Sequence, residues 1–259
     1  MTYMKDISKL LLLITTFLML SITSCSDDED VKSLTEDPKP KVEIEVKPEM
    51  NLVGSVYAGD TPLANVVVSD GYTTTLTDDK GIYQMKAHRN TKFVFISVPS
   101  DCKIPIGDNG LPKIYHPIES VFYNKVVRKD FELEKAEKQT NFTLLALADV
   151  QIGDKQDLDS LKLDMPKIVE YMQTLPQPVY GISLGDLVWD NLPFFSEYSQ
   201  QINTLGIPVF NVIGNHDHDM SVIDDDETSA KSFEEHFGPT YYSYNIGDVH
   251  FVVLDDVYY

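Results

Sequence analysis

The sequence predicts an α/β domain preceded by a small all-β sandwich, and three observations carry that prediction. Apolar runs at 142–148, 179–184 and 207–213 each end in oxygen or nitrogen donors: Asp149-Val150-Gln151, Gly185-Asp186 and Gly214-Asn215-His216-Asp217. Between and after these runs lie stretches at helix-compatible spacing, as strands joined by helices in a parallel sheet require. Upstream, residues 51–134 show short alternating strands about every ten residues with Asp-Gly-type turns, the pattern of a β-sandwich.

The first 25 residues stand outside the fold. Lys5 and Lys9 precede an apolar run from 10 to 22 that is short for a membrane span and ends in small residues, the layout of a secretory signal. Leu20-Ser21-Ile22-Thr23-Ser24-Cys25 resembles a bacterial lipobox, which implies acylation of Cys25 and attachment to a membrane through lipid. The acidic run Ser26-Asp27-Asp28-Glu29-Asp30 resembles the signal that directs some Gram-negative lipoproteins to the outer leaflet. The expected location is therefore the cell envelope, at the outer membrane and exposed at the surface. Residues 26–50 are rich in Pro and charge, without apolar periodicity, and read as a tether. With Cys25 lipidated, Cys102 has no partner in the chain and reads as a packed thiol.

Within 51–135, strands are expected at 52–57, 64–68, 73–77, 82–85 and 93–98, with turns at Gly59-Asp60, Asp70-Gly71 and Asp78-Asp79-Lys80-Gly81. This stretch resembles the prealbumin-like or carboxypeptidase-regulatory-like module. His88 and His116 read as surface or packing residues. Residues 132–140 are polar and form the expected joint to the second domain, 141–259. There, helices are expected over 159–175, with Pro166 ending or kinking the first turn, over 194–205, capped by Gly206, and over 227–237. A hairpin is expected around Gly247-Asp248, with His250 packed in its second strand. Asp224-Asp225-Asp226-Glu227 lacks EF-hand spacing and reads as a solvated loop leading a helix.

Donors at three strand ends suit a site shared between segments, since ligands of open α/β sheets collect at the carboxyl ends of the strands. Asp149, Asp186 and Asn215 can converge on divalent cations, with Asp186 as the candidate bridge between two, and His216 is placed to donate a proton to a leaving oxygen. The set Asp149-Val150-Gln151, Gly185-Asp186 and Gly214-Asn215-His216-Asp217, together with the hairpin region 237–256, resembles the calcineurin-like metallophosphoesterases. That resemblance implies a four-layer α/β/β/α sandwich, hydrolysis of phosphomonoesters or phosphodiesters, two divalent metal ions (Mn, Fe or Zn), and Asp149, Gln151, Asp186 and Asn215 as metal ligands.

The chain departs from the family pattern in three places. Position 151 is Gln where the family usually has His. Trp189 occupies the place of a frequent Asp, with Asp190 displaced by one residue, and reads as packed or lining the substrate pocket. The further His and the Gly-His-x-His segment that the family places after the hairpin are not in the 259 residues, so the reading is of the N-terminal half of such a domain, incomplete or inactive by itself. His218 is expected at the surface. A net charge of -20 with no Lys/Arg cluster argues against a nucleic-acid partner. The competing reading is a non-catalytic surface lipoprotein whose β module binds a glycan or a protein; Gln151 and the missing segments favour it.

Overall fold

A computed structural model describes residues 41–118, 125–222 and 225–257. The signal sequence, Cys25, the tether up to residue 40 and Asp224 lie outside the described residues. Residues 41–50, also assigned to the tether, run against the β module instead: the Lys41 ammonium donates to the Gly59 carbonyl at 2.6 Å, and the Gln84 amide donates to the Glu45 carbonyl at 3.1 Å. Among the described residues no helix is long and apolar enough to cross a membrane.

The β module consists of two sheets. In the first, β1 (Leu52–Ala58) is central: it pairs antiparallel with β2 (Thr61–Pro62) and β5 (Ile82–Met85), and parallel with β8 (Val127–Arg128) and β9 (Phe131–Leu133). In the second the order is β4 (Thr74–Leu76), β3 (Val67–Ser69), β6 (Phe93–Ser97) and β7 (Tyr115–Pro117), all antiparallel. The Asp70-Gly71 turn is more than a connection. Buried Asp70 accepts from the backbone of Tyr72, Thr73 and His88 at 2.7–2.9 Å, joining the turn to the 88–91 loop. Burial raises its pKa, but these hydrogen bonds outweigh that and hold the carboxyl below its ordinary value. The start of the polar joint belongs to this module, because residues 131–133 pair with β1 and the Ala136 N–H donates to the Asp101 carbonyl at 2.9 Å. Cys102 is a buried free thiol whose pKa is raised by burial.

The second domain is built on a parallel sheet of order β10 (Thr143–Leu147), β11 (Val179–Leu184) and β12 (Val209–Val212). Parallel pairing brings all three carboxyl ends to one edge. Neighbouring residues divide the two faces, as strand alternation requires: Val209 joins the helix-side core and Phe210 the opposite one. The helix side holds α1 (Lys155–Gln173), α2 (Phe195–Asn203), the short α3 (Asp226–Ser229) and α4 (Lys231–Phe237). Helix α1 begins four residues before the expected start, because Asp154 and Asp157 form a capping box ahead of the apolar period, and it continues through Pro166. The expected helix 227–237 is broken at Ala230 into α3 and α4.

The other face is covered by the hairpin β13 (Tyr242–Ile246) and β14 (Val249–Val253). Phe210 stacks on Tyr244 with ring centroids 3.4 Å apart and planes at 5°, and Tyr244 stacks on Phe251 at 4.9 Å. The Tyr242 hydroxyl donates to the Asn211 carbonyl at 2.9 Å. The hairpin also meets the β module: the Ser97 and Ser243 hydroxyls are 2.9 Å apart, and the Asn245 amide donates to the Val98 carbonyl at 3.0 Å. One continuous core therefore runs from Leu52 and Val56 through Val94 and Ile96 to Phe210 and Tyr244. At the hairpin turn, Gly247 has φ +58 and a Cβ there would lie 1.9 Å from the Gln139 carbonyl oxygen, so the closing joint requires glycine. The architecture is mixed α/β with an all-β N-terminal part. Of the four expected layers, the described residues form helices, parallel sheet and hairpin, and no helix layer lies outside the hairpin.

Candidate functional site at the strand ends

The loops after β10, β11 and β12 interlock through their backbones. The first two continue the parallel pairing beyond the strands: Gln151 N–H donates to the Asp186 carbonyl at 2.9 Å and Trp189 N–H to the Ile152 carbonyl at 3.1 Å, with Ile152 bridged to Val188. The second and third loops touch glycine to glycine. Gly185 has φ +87, and a Cβ on it would lie 3.0 Å from the Gly214 Cα; a Cβ on Gly214 would lie 2.2 Å from the Asp186 nitrogen and 2.3 Å from its Oδ1. Gly214→Ala is expected to force the Gly214 and Asp186 backbones apart and to destabilise the fold. A thermal melt should show the midpoint lowered by several degrees or more from that of the parent protein.

Asp217, absent from the ligand set, is the clamp. It is fully buried; Oδ1 accepts from the Leu187 and Val188 amides at 2.9 and 3.1 Å, and Oδ2 from the Gly214 amide at 2.9 Å. Burial pushes its carboxyl up to about 7, against the pull of these three donors and with a smaller upward push from Asp186. Its position two residues after Asn215 was visible in the motif, whereas its inward orientation depends on the turn at Asn215–Asp217.

Four of the site's non-glycine residues have left-handed backbones: Asp149 (φ +51), Gln151 (+52), Asp186 (+49) and Asp190 (+53). Such strain persists where surrounding bonds impose it, and it gathers at functional sites. It draws the expected donors together. The Gln151 amide donates to Asp186 Oδ2 at 3.3 Å and is 3.5 Å from Asp149 Oδ1, while the His216 N–H donates to Asp186 Oδ1 at 3.1 Å. Asn215 opens the same turn, exposed to solvent, next to His216.

His216 is gripped from two further sides. Its Nδ1 lies 2.8 Å from Asp190 Oδ1, and its ring stacks on Trp189 with centroids 3.9 Å apart and planes at 23°. The left-handed turn at Asp190, closed by its N–H on the His216 carbonyl at 3.2 Å, swings a carboxylate displaced by one residue in sequence back onto the imidazole. Trp189 does not pack into the core: half of it is exposed. His218, expected at the surface, is buried and its Nδ1 is 2.8 Å from the Ser229 hydroxyl. This position takes it out of the site.

The donor chemistry fits a hard divalent cation in part. Asp149 and Asp186 offer carboxylates, and Gln151, whose amide hydrogens lie between them, sits where a positive charge is stabilised. Asn215 adds a second amide. Among the described residues no three His, Cys, Asp or Glu side chains are grouped to hold a metal ion, so the donors at hand are two carboxylates and two amides.

Residues 50–136 match the family model described as the N terminal of Calcineurin-like phosphoesterase. The comparisons with curated proteins and with solved structures give no match. The β module is thus a calcineurin-like phosphoesterase N-terminal module, and it points to a metallophosphoesterase family and a hydrolase. The matched residues end before the three donor loops.

Proposed function

We propose that the strand-end site belongs to a metal-dependent phosphoesterase hydrolysing phosphomonoester or phosphodiester bonds, with Asp149, Gln151, Asp186 and Asn215 as ligands for two divalent ions and His216 as the proton donor. The observation that supports this reading is the convergence of two carboxylates, an amide and a carboxylate-held imidazole on the edge where parallel strands end. Divalent ions, if held there, would supply positive charge for the phosphoryl oxygens and acidify a bound water. The chain's own groups do the positioning. Asp186 orders the turn that carries His216 by accepting its N–H, and Asp190 takes Nδ1, which leaves Nε2 to deliver a proton to the leaving oxygen.

The test is release of phenolate from phenyl phosphate and diphenyl phosphate with Mn²⁺, Fe²⁺ or Zn²⁺ added. Release should stop on chelation and return when metal is restored. His216→Ala should lower turnover by roughly 10²–10⁴-fold with metal content unchanged. Release that survives chelation, or loss of metal on changing His216, would overturn these assignments.

A second reading is a surface lipoprotein whose β module binds a glycan or protein. Gln151 favours it, because its amide bonds Asp186 and approaches Asp149 with no cation needed. Under this reading no metal restores phenolate release. For either reading we place the chain in the cell envelope, held at the outer membrane by lipid on Cys25. In a Gram-negative host fed radiolabelled palmitate, the protein should carry label and Cys25→Ser should carry none; an equally labelled variant would sink the anchor.

A further inference from the structure

Trp189 is the single tryptophan of the chain and leaves 50% of its surface in solvent, although burying an indole is among the larger gains available to a side chain. The exposure is built in. One face of the ring is covered by the His216 imidazole. The backbone on both sides is fixed, by Trp189 N–H on the Ile152 carbonyl and by Asp190 N–H on the His216 carbonyl. Val188, just before it, is tied to buried Asp217. The ring is therefore a flat, preorganised surface in van der Waals contact with the group assigned to the leaving oxygen, which Asp190 holds.

We propose that Trp189 is a specificity-determining residue: the indole face that His216 leaves open stacks the base of a nucleoside phosphate, so the site prefers nucleoside phosphates to alkyl phosphates. The position of the phosphate rests on the phosphoesterase reading; the stacking itself needs no hydrolysis. Because Trp189 is alone, its emission reports this surface and nothing else. Adenosine 5′-monophosphate, titrated with Zn²⁺ present, should quench that emission saturably, and glycerol 3-phosphate should leave it nearly unchanged. By calorimetry, Trp189→Ala should weaken adenosine monophosphate binding about tenfold or more, the contribution of one base–aromatic stack, and Trp189→Phe should restore most of it. Glycerol phosphate binding, which has no ring to stack, should weaken far less than adenosine monophosphate binding in Trp189→Ala. Absence of a saturable quench, equal quenching by both esters, or unweakened binding in Trp189→Ala overturns the proposal. A saturable quench without hydrolysis defeats the phosphoesterase reading alone. Hydrolysis of both esters at the same kcat/KM in parent and Trp189→Ala defeats the stacking role alone.

Discussion

Asp186→Ala is expected to end metal-dependent phosphate release, a loss at or beyond the roughly 10²–10³-fold that follows removal of a single electrostatic donor. The carboxylate is where the three loops meet. Its Oδ2 takes the Gln151 amide at 3.3 Å, its Oδ1 takes the His216 N–H at 3.1 Å, and its own carbonyl takes the Gln151 N–H at 2.9 Å. Alanine removes the carboxylate proposed as a ligand and at the same time frees the turn that presents His216, so under that proposal metal binding and proton delivery fail together. The folded state loses little, because the side chain is partly solvated and the clamp through Asp217 remains. Initial rates with Mn²⁺, metal content and a thermal melt on the same sample separate these effects. Full activity in a protein that retains its metal would show that Asp186 is not a ligand.

Phe210→Ala is expected to cost about 3–5 kcal/mol, the largest stability loss expected of any change considered. Phe210 is 1% exposed, and its ring forms one end of the Phe210–Tyr244–Phe251 stack, with Tyr242 at 6.3 Å. It lies on the sheet face that carries both the hairpin and the β module, so truncation loosens three units at one point. Urea denaturation should show a lowered midpoint at an unchanged slope. Phe210→Leu should recover part of the loss, and Leu163→Ala, at a residue of α1 that is 70% exposed, should move the midpoint hardly at all. A cost below about 1 kcal/mol for Phe210→Ala would mean that the hairpin is not docked on the sheet.

How much of this was legible in the sequence depended on whether the signal was local. The three site-bearing strands could be read because each is an apolar run ending in polar donors, and parallel pairing then gathers those ends without further information. The hairpin around Gly247 could be read for the same reason. Strands β8 and β9 could not: each is two or three residues long and pairs with β1 some 75 residues earlier, a partnership no short window contains. Helix α1 was read too short because its start lies in Asp154 and Asp157, polar residues outside the apolar period. At the site, the types of Asp149, Gln151, Asp186, Asn215 and His216 were visible. The grip of Asp190 on His216 was not, since it requires a left-handed residue after Trp189. The burial of His218 likewise depends on Ser229, which the following helix supplies.

The shared core also imposes an order of events. Ser97 and Ser243 meet across 146 residues, and Asn245 reaches Val98 across 147. During synthesis the β module emerges first, with β6 complete while the hairpin that will cover it has yet to be made. Contacts of such sequence separation form slowly. The nascent chain therefore passes through an interval in which Val94, Ile96 and, later, Phe210 present an uncovered apolar surface. The interval before the hairpin docks is when a chaperone has most to hold.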